Sequence, residues 1–299
     1  MTTETTSPDK ALAEVRKEID IIDAALHDLL MKRAALVAGV AEAKARAASA
    51  AGEGSFIAFR PGREAEVLRH LAERHSGKLP LRTIFHLWRE IISSMTRIQG
   101  PFRVDVFDGA AEARLGFWDL ARNYYGSSTP MELHNDARDV LRRVGQDRSA
   151  VGVLPDPAYH AVDEWWVQLA EAGWQDVSIV ARLPFVDVED DASQEHALVI
   201  AHSDFEPTGD DTSLVAILSS DGMSDARLVT LMSDAGLEGK RIGSARLSNG
   251  LAAHAYLFAV PYHLTQDDAR LAALAGGSVL EARLLGGYAN PLQLVRDGD

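Results

Sequence analysis

The chain has 299 residues, no cysteine and a net charge of −14, from 30 Lys+Arg against 44 Asp+Glu. That length suits two or three domains, and 46% hydrophobic with 25% charged residues is the balance of a globular protein. A disulfide framework, a thiol nucleophile and a Cys-based zinc site are excluded, and no apolar run reaches the 18 residues of a membrane span. The opening MTTETTSPDK has no basic-then-apolar leader pattern, so the expected compartment is the cytoplasm.

The charge is uneven. Residues 1–100 hold 15 basic and 13 acidic side chains, a net of +2, which leaves 15 and 31, a net of −16, for residues 101–299. So acidic a surface disfavours nucleic acid and anionic membrane as partners. The near-neutral first third, with cations on an apolar face, points to a small anionic ligand.

In chain order, residues 1–9 read as an unstructured start. Val15, Ile19, Ile22, Leu26, Leu29, Val37 and Val40 then recur at steps of three and four, one face of a long amphipathic helix ending near Arg46. Residues 47–55 read as a small-residue linker. Pro61 suits the first turn of a second helix, Gly62 to His75, and Pro80 opens a third, Leu81 to Gln99, stopped by Gly100-Pro101. Three helices of such unequal length cannot close a core alone, so the long helices are expected to pair in a dimer.

From Phe102 the period changes. Strands are expected at 102–108, 131–135, 149–156, 177–186 and 196–204, with helices at 113–126, 135–146 and 161–173 and an acidic loop at 187–195. This alternation predicts a small α/β sheet. After the linker 206–211, residues 213–289 read as βαββαβ, a ferredoxin-like unit. His202 and Asp204 lack a third ligand, Trp165-Trp166 reads as packing, and the Gly pairs 276–277 and 286–287 read as turns.

The chemistry lies in polar residues on apolar faces. Arg33 and Lys44 continue the seam of the first helix, on one side and about 16 Å apart along its axis. Such cations either snorkel to water, meet core carboxylates or await an anionic ligand. Glu64 shares a face with Val67, Leu68 and Leu71, beside Arg63, and is equally placed to satisfy Arg33 or Lys44. Gln99 ends the stripe of Trp88, Ile92 and Met95. A cationic, water-poor pocket between helices uses all of these residues.

In order and spacing, VRKEIDIID, MKRAALVAGVAEAK, RPGREAEVLRHL and IFHLWREIISSMTRIQ resemble the all-helical (AroQ-type) chorismate mutases over residues 11–99. The resemblance implies an intertwined homodimer that converts chorismate to prephenate without a cofactor or a metal. It implies that Arg16 from the partner and Arg33 clamp the two carboxylates, and that Lys44 and Gln99 donate to the ether oxygen. Glu64 then accepts from the ring hydroxyl and Arg63 completes the positive wall. Arg60 stands where many members carry an acidic residue, and Met95 where a hydroxyl residue often sits.

The remainder resembles the portion after the mutase domain in fused mutase–dehydratase enzymes. SAVGVLPDP and HALVIAHSD look like prephenate dehydratase strands, and residues 213–291 look like an ACT regulatory domain. Only about 40 residues separate those strands, and the Thr-Arg-Phe signature reads Glu195-His196-Ala197. The expectation is therefore three parts: a mutase domain at 10–100, a truncated dehydratase-like lobe without dehydratase activity at 102–205, and an ACT-like domain at 212–296. An isochorismate pyruvate-lyase and a non-catalytic sensing or docking subunit remain as alternatives, as does docking of another shikimate-pathway enzyme on the acidic surface.

Overall fold

The structure, a computed structural model, describes residues 8–51, 58–109, 116–160, 164–171, 173–188, 195–248 and 251–294. The chain divides into two compact units, residues 1–56 with 98–100, and residues 57–97 with 101–299. Most of the unstructured start, the later part of the 47–55 linker and most of the acidic loop 187–195 lie outside the described residues.

The first unit is built on α1 (Pro8–Ala51), 44 residues long. It runs past the expected end near Arg46 because Ala47, Ala48, Ala50 and Ala51 favour the helix intrinsically. Its apolar seam is not covered: Val15, Ile19, Ile22, Leu26 and Leu29 are 50% to 62% exposed. A seam of this length left in water forgoes roughly 1.5–3 kcal/mol per large side chain when fully buried.

The second unit begins with α2 (Pro61–Arg74) and most of α3 (Leu81–Gln99). Pro61 occupies the first turn of α2, where its missing N–H costs nothing. Phe59, Ala65, Leu68 and Phe85 are buried in the same core as Phe102, Tyr125 and the sheet. The rings of Phe59, Phe102 and Tyr125 meet at centroid distances of 5.6 to 6.0 Å. Arg69 fixes α2 from outside, donating to Thr208 Oγ1 at 2.7 Å and to the carbonyls of Asp210 and Asn290 at 2.7 and 3.0 Å.

The α/β part follows the expected alternation. Parallel strands β1 (Arg103–Phe107), β2 (Met131–His134) and β3 (Ala150–Pro155) are connected through α4 (Phe117–Tyr125) and α5 (Ala137–Gln146). Asp136 caps α5 by accepting from the Arg138 amide. Two expectations fail here. The helix expected at 161–173 reduces to α6 (Trp166–Leu169), with 161–163 and 172 outside the described residues. Trp165 and Trp166 are both buried, and Trp165 Nε1 donates to the Pro155 carbonyl at 3.0 Å, so adjacent indoles pack inward without a helical period. The strand expected at 177–186 splits into β4 (Ser178–Leu183) and β5 (Val186–Val188), because Pro184 has no N–H for the ladder.

β6 (Ala197–Ala201) is buried throughout. Then come β7 (Asp211–Ser219), α7 (Asp225–Asp234), β8 (Lys240–Arg246), β9 (His254–Val260), α8 (Ala269–Leu274) and β10 (Val279–Ala289), the expected βαββαβ order. A further strand, β11 (Leu292–Leu294), pairs with β5. The main sheet has nine strands in the order β2-β1-β3-β6-β4-β10-β7-β9-β8.

The two halves of that sheet join where β10 lies parallel to β4, Gly286 opposite Ile179. Gly286 is thus a close approach inside a strand, not the turn expected of the 286–287 pair; the 276–277 pair does turn the chain into β10. Its φ is +108°, and a Cβ there would lie 2.1 Å from the Ile179 carbonyl oxygen. Gly286→Ala is expected to destabilise this unit by about 2 kcal/mol or more, read as a lower urea midpoint. A midpoint equal to wild type would show that the strands separate there without cost.

Candidate active site

Four of the eight expected site residues belong to the first unit. Arg16 is exposed on α1, whereas Arg33 and Lys44 are half-buried on one side of the same helix. Arg33 Nη1 is buried with no hydrogen-bond partner among the described residues. Burial lowers the Arg33 pKa from its ordinary value, the mark of a cation that has lost water and gained no counter-charge. Gln99, half-buried at the end of α3, falls within the same unit.

Arg60, Arg63, Glu64 and Met95 belong to the second unit. Arg60 precedes α2 and pairs with Glu206 at 2.7 Å, both side chains partly exposed. Arg63 is exposed and pairs with Glu66, also at 2.7 Å. Glu64 points the other way and is 6% exposed. Its Oε2 accepts from Arg89 Nη1 at 2.8 Å, so within the second unit Arg89 is the cation that satisfies it. Met95 is buried.

Arg89 is the residue that sequence reasoning missed. It is 5% exposed, donates from Nε to the Tyr124 carbonyl at 2.7 Å, and lies 3.5 Å over the Tyr124 ring. Burial disfavours its charge, but Tyr124 and Glu64 more than offset this, and its pKa lies above the ordinary arginine value. A signal was present: Arg89 stands four residues after Phe85 and three before Ile92, on the buried stripe of α3. The neighbouring Tyr125 hydroxyl is buried without a partner among the described residues, and burial raises its pKa well above the usual phenol range.

His196, where the dehydratase signature is expected, belongs to a polar cluster in the second unit. The His196 ring stacks on Tyr159 at 3.9 Å and faces Asp187 at 3.5 Å. Arg182 Nε donates to Asp156 at 3.0 Å and its Nη2 to the Tyr159 hydroxyl at 2.9 Å. Burial, then the Arg182 charge, lowers the His196 pKa, which keeps the imidazole neutral. Glu195 Oε2 lies 3.2 Å from His160 Nε2, which has no hydrogen-bond partner among the described residues. His202, for which the sequence offers no third metal ligand, bonds the Val144 carbonyl at 2.8 Å.

Asp105, Glu132 and His134 are a group with possible metal-ligand spacing, their ligand atoms within 4.8 Å. Both carboxylates already face arginine: Asp105 meets Arg103 at 3.0 Å and Glu132 meets Arg143 at 2.6 Å. His134 Nε2 and Asp105 Oδ1 lie 2.8 Å apart, a buried polar pair satisfied within the protein. Among the described residues no helix is long and apolar enough to cross a membrane.

Comparison with known proteins adds to this geometry. The family "Chorismate mutase type II" matches residues 15–100. A bifunctional chorismate mutase/prephenate dehydratase of Aquifex aeolicus is 32% identical over 152 residues, 48% of this chain and 38% of that protein. The enzyme of that name from Stutzerimonas stutzeri is 38% identical over 93 residues, 31% of this chain and 25% of its own. The chain therefore spans well under half the length of these relatives. Among solved structures, prephenate dehydratase from Streptococcus mutans aligns with a TM-score of 0.45 at 14% identity, covering 64% of this chain and all of that one. With the family match on the helices that carry Arg33, Lys44, Glu64 and Gln99, residues 15–100 are a type II chorismate mutase domain, followed in this chain by a mixed α/β region.

Proposed function

We propose that the protein is a homodimeric, cytoplasmic chorismate mutase that rearranges chorismate to prephenate in the biosynthesis of aromatic amino acids. The observation that carries this reading is Arg33, a half-buried guanidinium whose Nη1 has no partner among the described residues, on one helix side with Lys44. A dicarboxylate supplies the missing counter-charge.

The rearrangement is pericyclic: the ether C–O bond breaks as a C–C bond forms within one molecule, with no nucleophile and no proton transfer. Catalysis then reduces to holding the chair-like conformer and stabilising negative charge on the ether oxygen. Arg16 from the partner and Arg33 take the carboxylates, and Lys44 and Gln99 donate to the ether oxygen. Glu64, oriented by Arg89, accepts from the ring hydroxyl; Arg63, Arg60 and Met95 complete the substrate's surroundings. No cofactor enters this scheme.

Dimerisation is supported by the uncovered seam of α1. Ile22→Asp is expected to shift the protein to monomer in sedimentation and to lose activity with it, since Arg16 is assigned to the other subunit's pocket. An Ile22→Asp chain that stays dimeric would place the interface elsewhere.

The division into 10–100, 102–205 and 212–296 belongs to this reading, with the last two parts regulatory or structural. Absence of dehydratase activity is supported by His196, stacked on Tyr159 where the dehydratase signature is expected. The acidic surface of these parts is where another shikimate-pathway enzyme would dock.

The test is loss of chorismate absorbance with the purified chain, with products separated. Prephenate without phenylpyruvate is the expected result. Phenylpyruvate would restore a dehydratase, and pyruvate from isochorismate at a higher rate would make the enzyme a lyase. No turnover of either substrate would leave a sensing or docking subunit.

A further inference from the structure

Helices α2 and α3 do not stand apart from the α/β part of the chain. Phe59, Leu68 and Phe85 are buried in one core with Phe102, Tyr125 and the sheet, and a row of α3 side chains is bonded to the end of α4. Arg89 Nε donates to the Tyr124 carbonyl at 2.7 Å and Glu90 Oε1 accepts from the Ser127 amide at 2.8 Å. Arg97 Nη1 donates to the Ser128 carbonyl. Gly126 makes so close an approach possible: its φ is +81°, and a Cβ there would lie 2.7 Å from Glu90 Oε2. All four partners, Tyr124 and Gly126 to Ser128, lie outside the mutase domain at 15–100.

Of these contacts, the one through Arg89 leads to a residue of the proposed reaction. The Tyr124 ring lies 3.5 Å from the Arg89 Cζ and sets the plane of the guanidinium. The Tyr124 carbonyl takes Nε. It belongs to the last turn of α4, where carbonyls lack an intrahelical amide and the helix dipole is negative, so a cation is favoured there. With plane and Nε fixed, Nη1 is aimed at Glu64 Oε2, 2.8 Å away. Arg89 and Glu64 are both buried, and close packing leaves them little room for another rotamer.

We propose that Tyr124 is a positioning residue for the mutase reaction, acting on Glu64 through Arg89, so that α4 helps to place the carboxylate. The inference rests on the mutase reading above. The Arg89 bond takes Oε2, which assigns Oε1 to the ring hydroxyl of chorismate. A change at the end of α4 turns the guanidinium and, with it, the carboxylate. The clamp on the two substrate carboxylates is untouched, so binding is held while the fraction of bound chorismate in the reactive conformer falls. The α/β part thereby sets the rate of a reaction whose substrate it does not touch.

The experiment is a kinetic double-mutant cycle on the full chain, with circular dichroism showing that each protein measured is folded. Tyr124→Leu removes the ring and is expected to lower kcat for chorismate about tenfold, with KM within about twofold of wild type. Tyr124→Phe keeps ring and carbonyl and is expected to rescue kcat. In a Glu64→Ala background, adding Tyr124→Leu is expected to lower kcat by less than about twofold, because the group it positions is gone. The same cycle on Arg89→Lys, a milder change, serves if Glu64→Ala does not fold, and Tyr124→Met serves if Tyr124→Leu does not.

A role in packing alone would give the same proportional loss with and without Glu64. That result, an unchanged kcat in Tyr124→Leu, or no rescue by Tyr124→Phe would each overturn the positioning role while the mutase reading stood. No turnover by the wild type would overturn the mutase reading and this role with it, so the two failures are told apart by the first rate measured.

Discussion

Lys44→Ala is expected to lower kcat/KM for chorismate by about 10³-fold, while the unfolding midpoint stays within experimental error of wild type. In the proposed reaction no bond to the protein forms, so the barrier falls only through interactions that strengthen as charge moves onto the ether oxygen. A donor held on a helix, away from bulk water, needs no reorganisation at that moment. Lys44→Gln keeps a donor but not the charge and is expected to fall between the two. Arg33→Ala should raise KM as well as lower kcat, because its assigned partner is a carboxylate present in both ground and transition states. Initial rates of chorismate loss on matched, folded preparations decide this. A Lys44→Ala rate within tenfold of wild type would remove Lys44 from the ether oxygen and with it the electrostatic account.

The helical part was legible because a single period governs it. Val15 to Val40 repeat at helical steps, and Pro61, Pro80 and Pro101 punctuate the chain where helices start or stop. The overrun of α1 past Arg46 shows the limit: Ala and Ser residues look like a linker by size, but alanine is the best helix former available. The strands from β7 to β10 were legible for a similar reason, as alternating or continuous apolar runs between clear turns. What stayed hidden depends on partners distant in sequence. Gly286 looks like a turn residue until Ile179 is set beside it. Arg89 looks like one more charge on a helix until Glu64, 25 residues earlier, is found opposite. β5 and β11 are three residues each, too short to carry a period, and are defined only by their pairing.

The Glu64–Arg89 pair supplies the second large effect. Breaking it from one side, by Arg89→Met or Glu64→Leu, leaves a buried charge without its counter-charge and is expected to cost about 3–5 kcal/mol. The double variant removes both charges, so most of that loss should be recovered. Recovery will be incomplete, because Arg89 also satisfies the Tyr124 carbonyl at 2.7 Å, and an orphaned buried acceptor costs about 1–3 kcal/mol. Urea midpoints for the four proteins give the coupling energy directly. Additive losses would mean that Glu64 and Arg89 are independent, with water or another group satisfying each. Strong coupling has a consequence for catalysis. Glu64 can then act on the ring hydroxyl only in the orientation that Arg89 imposes, so Arg89→Lys should keep the charge and much of the stability but lose turnover. The two readouts separate the pair's part in holding α2 to α3 from its part in placing the carboxylate.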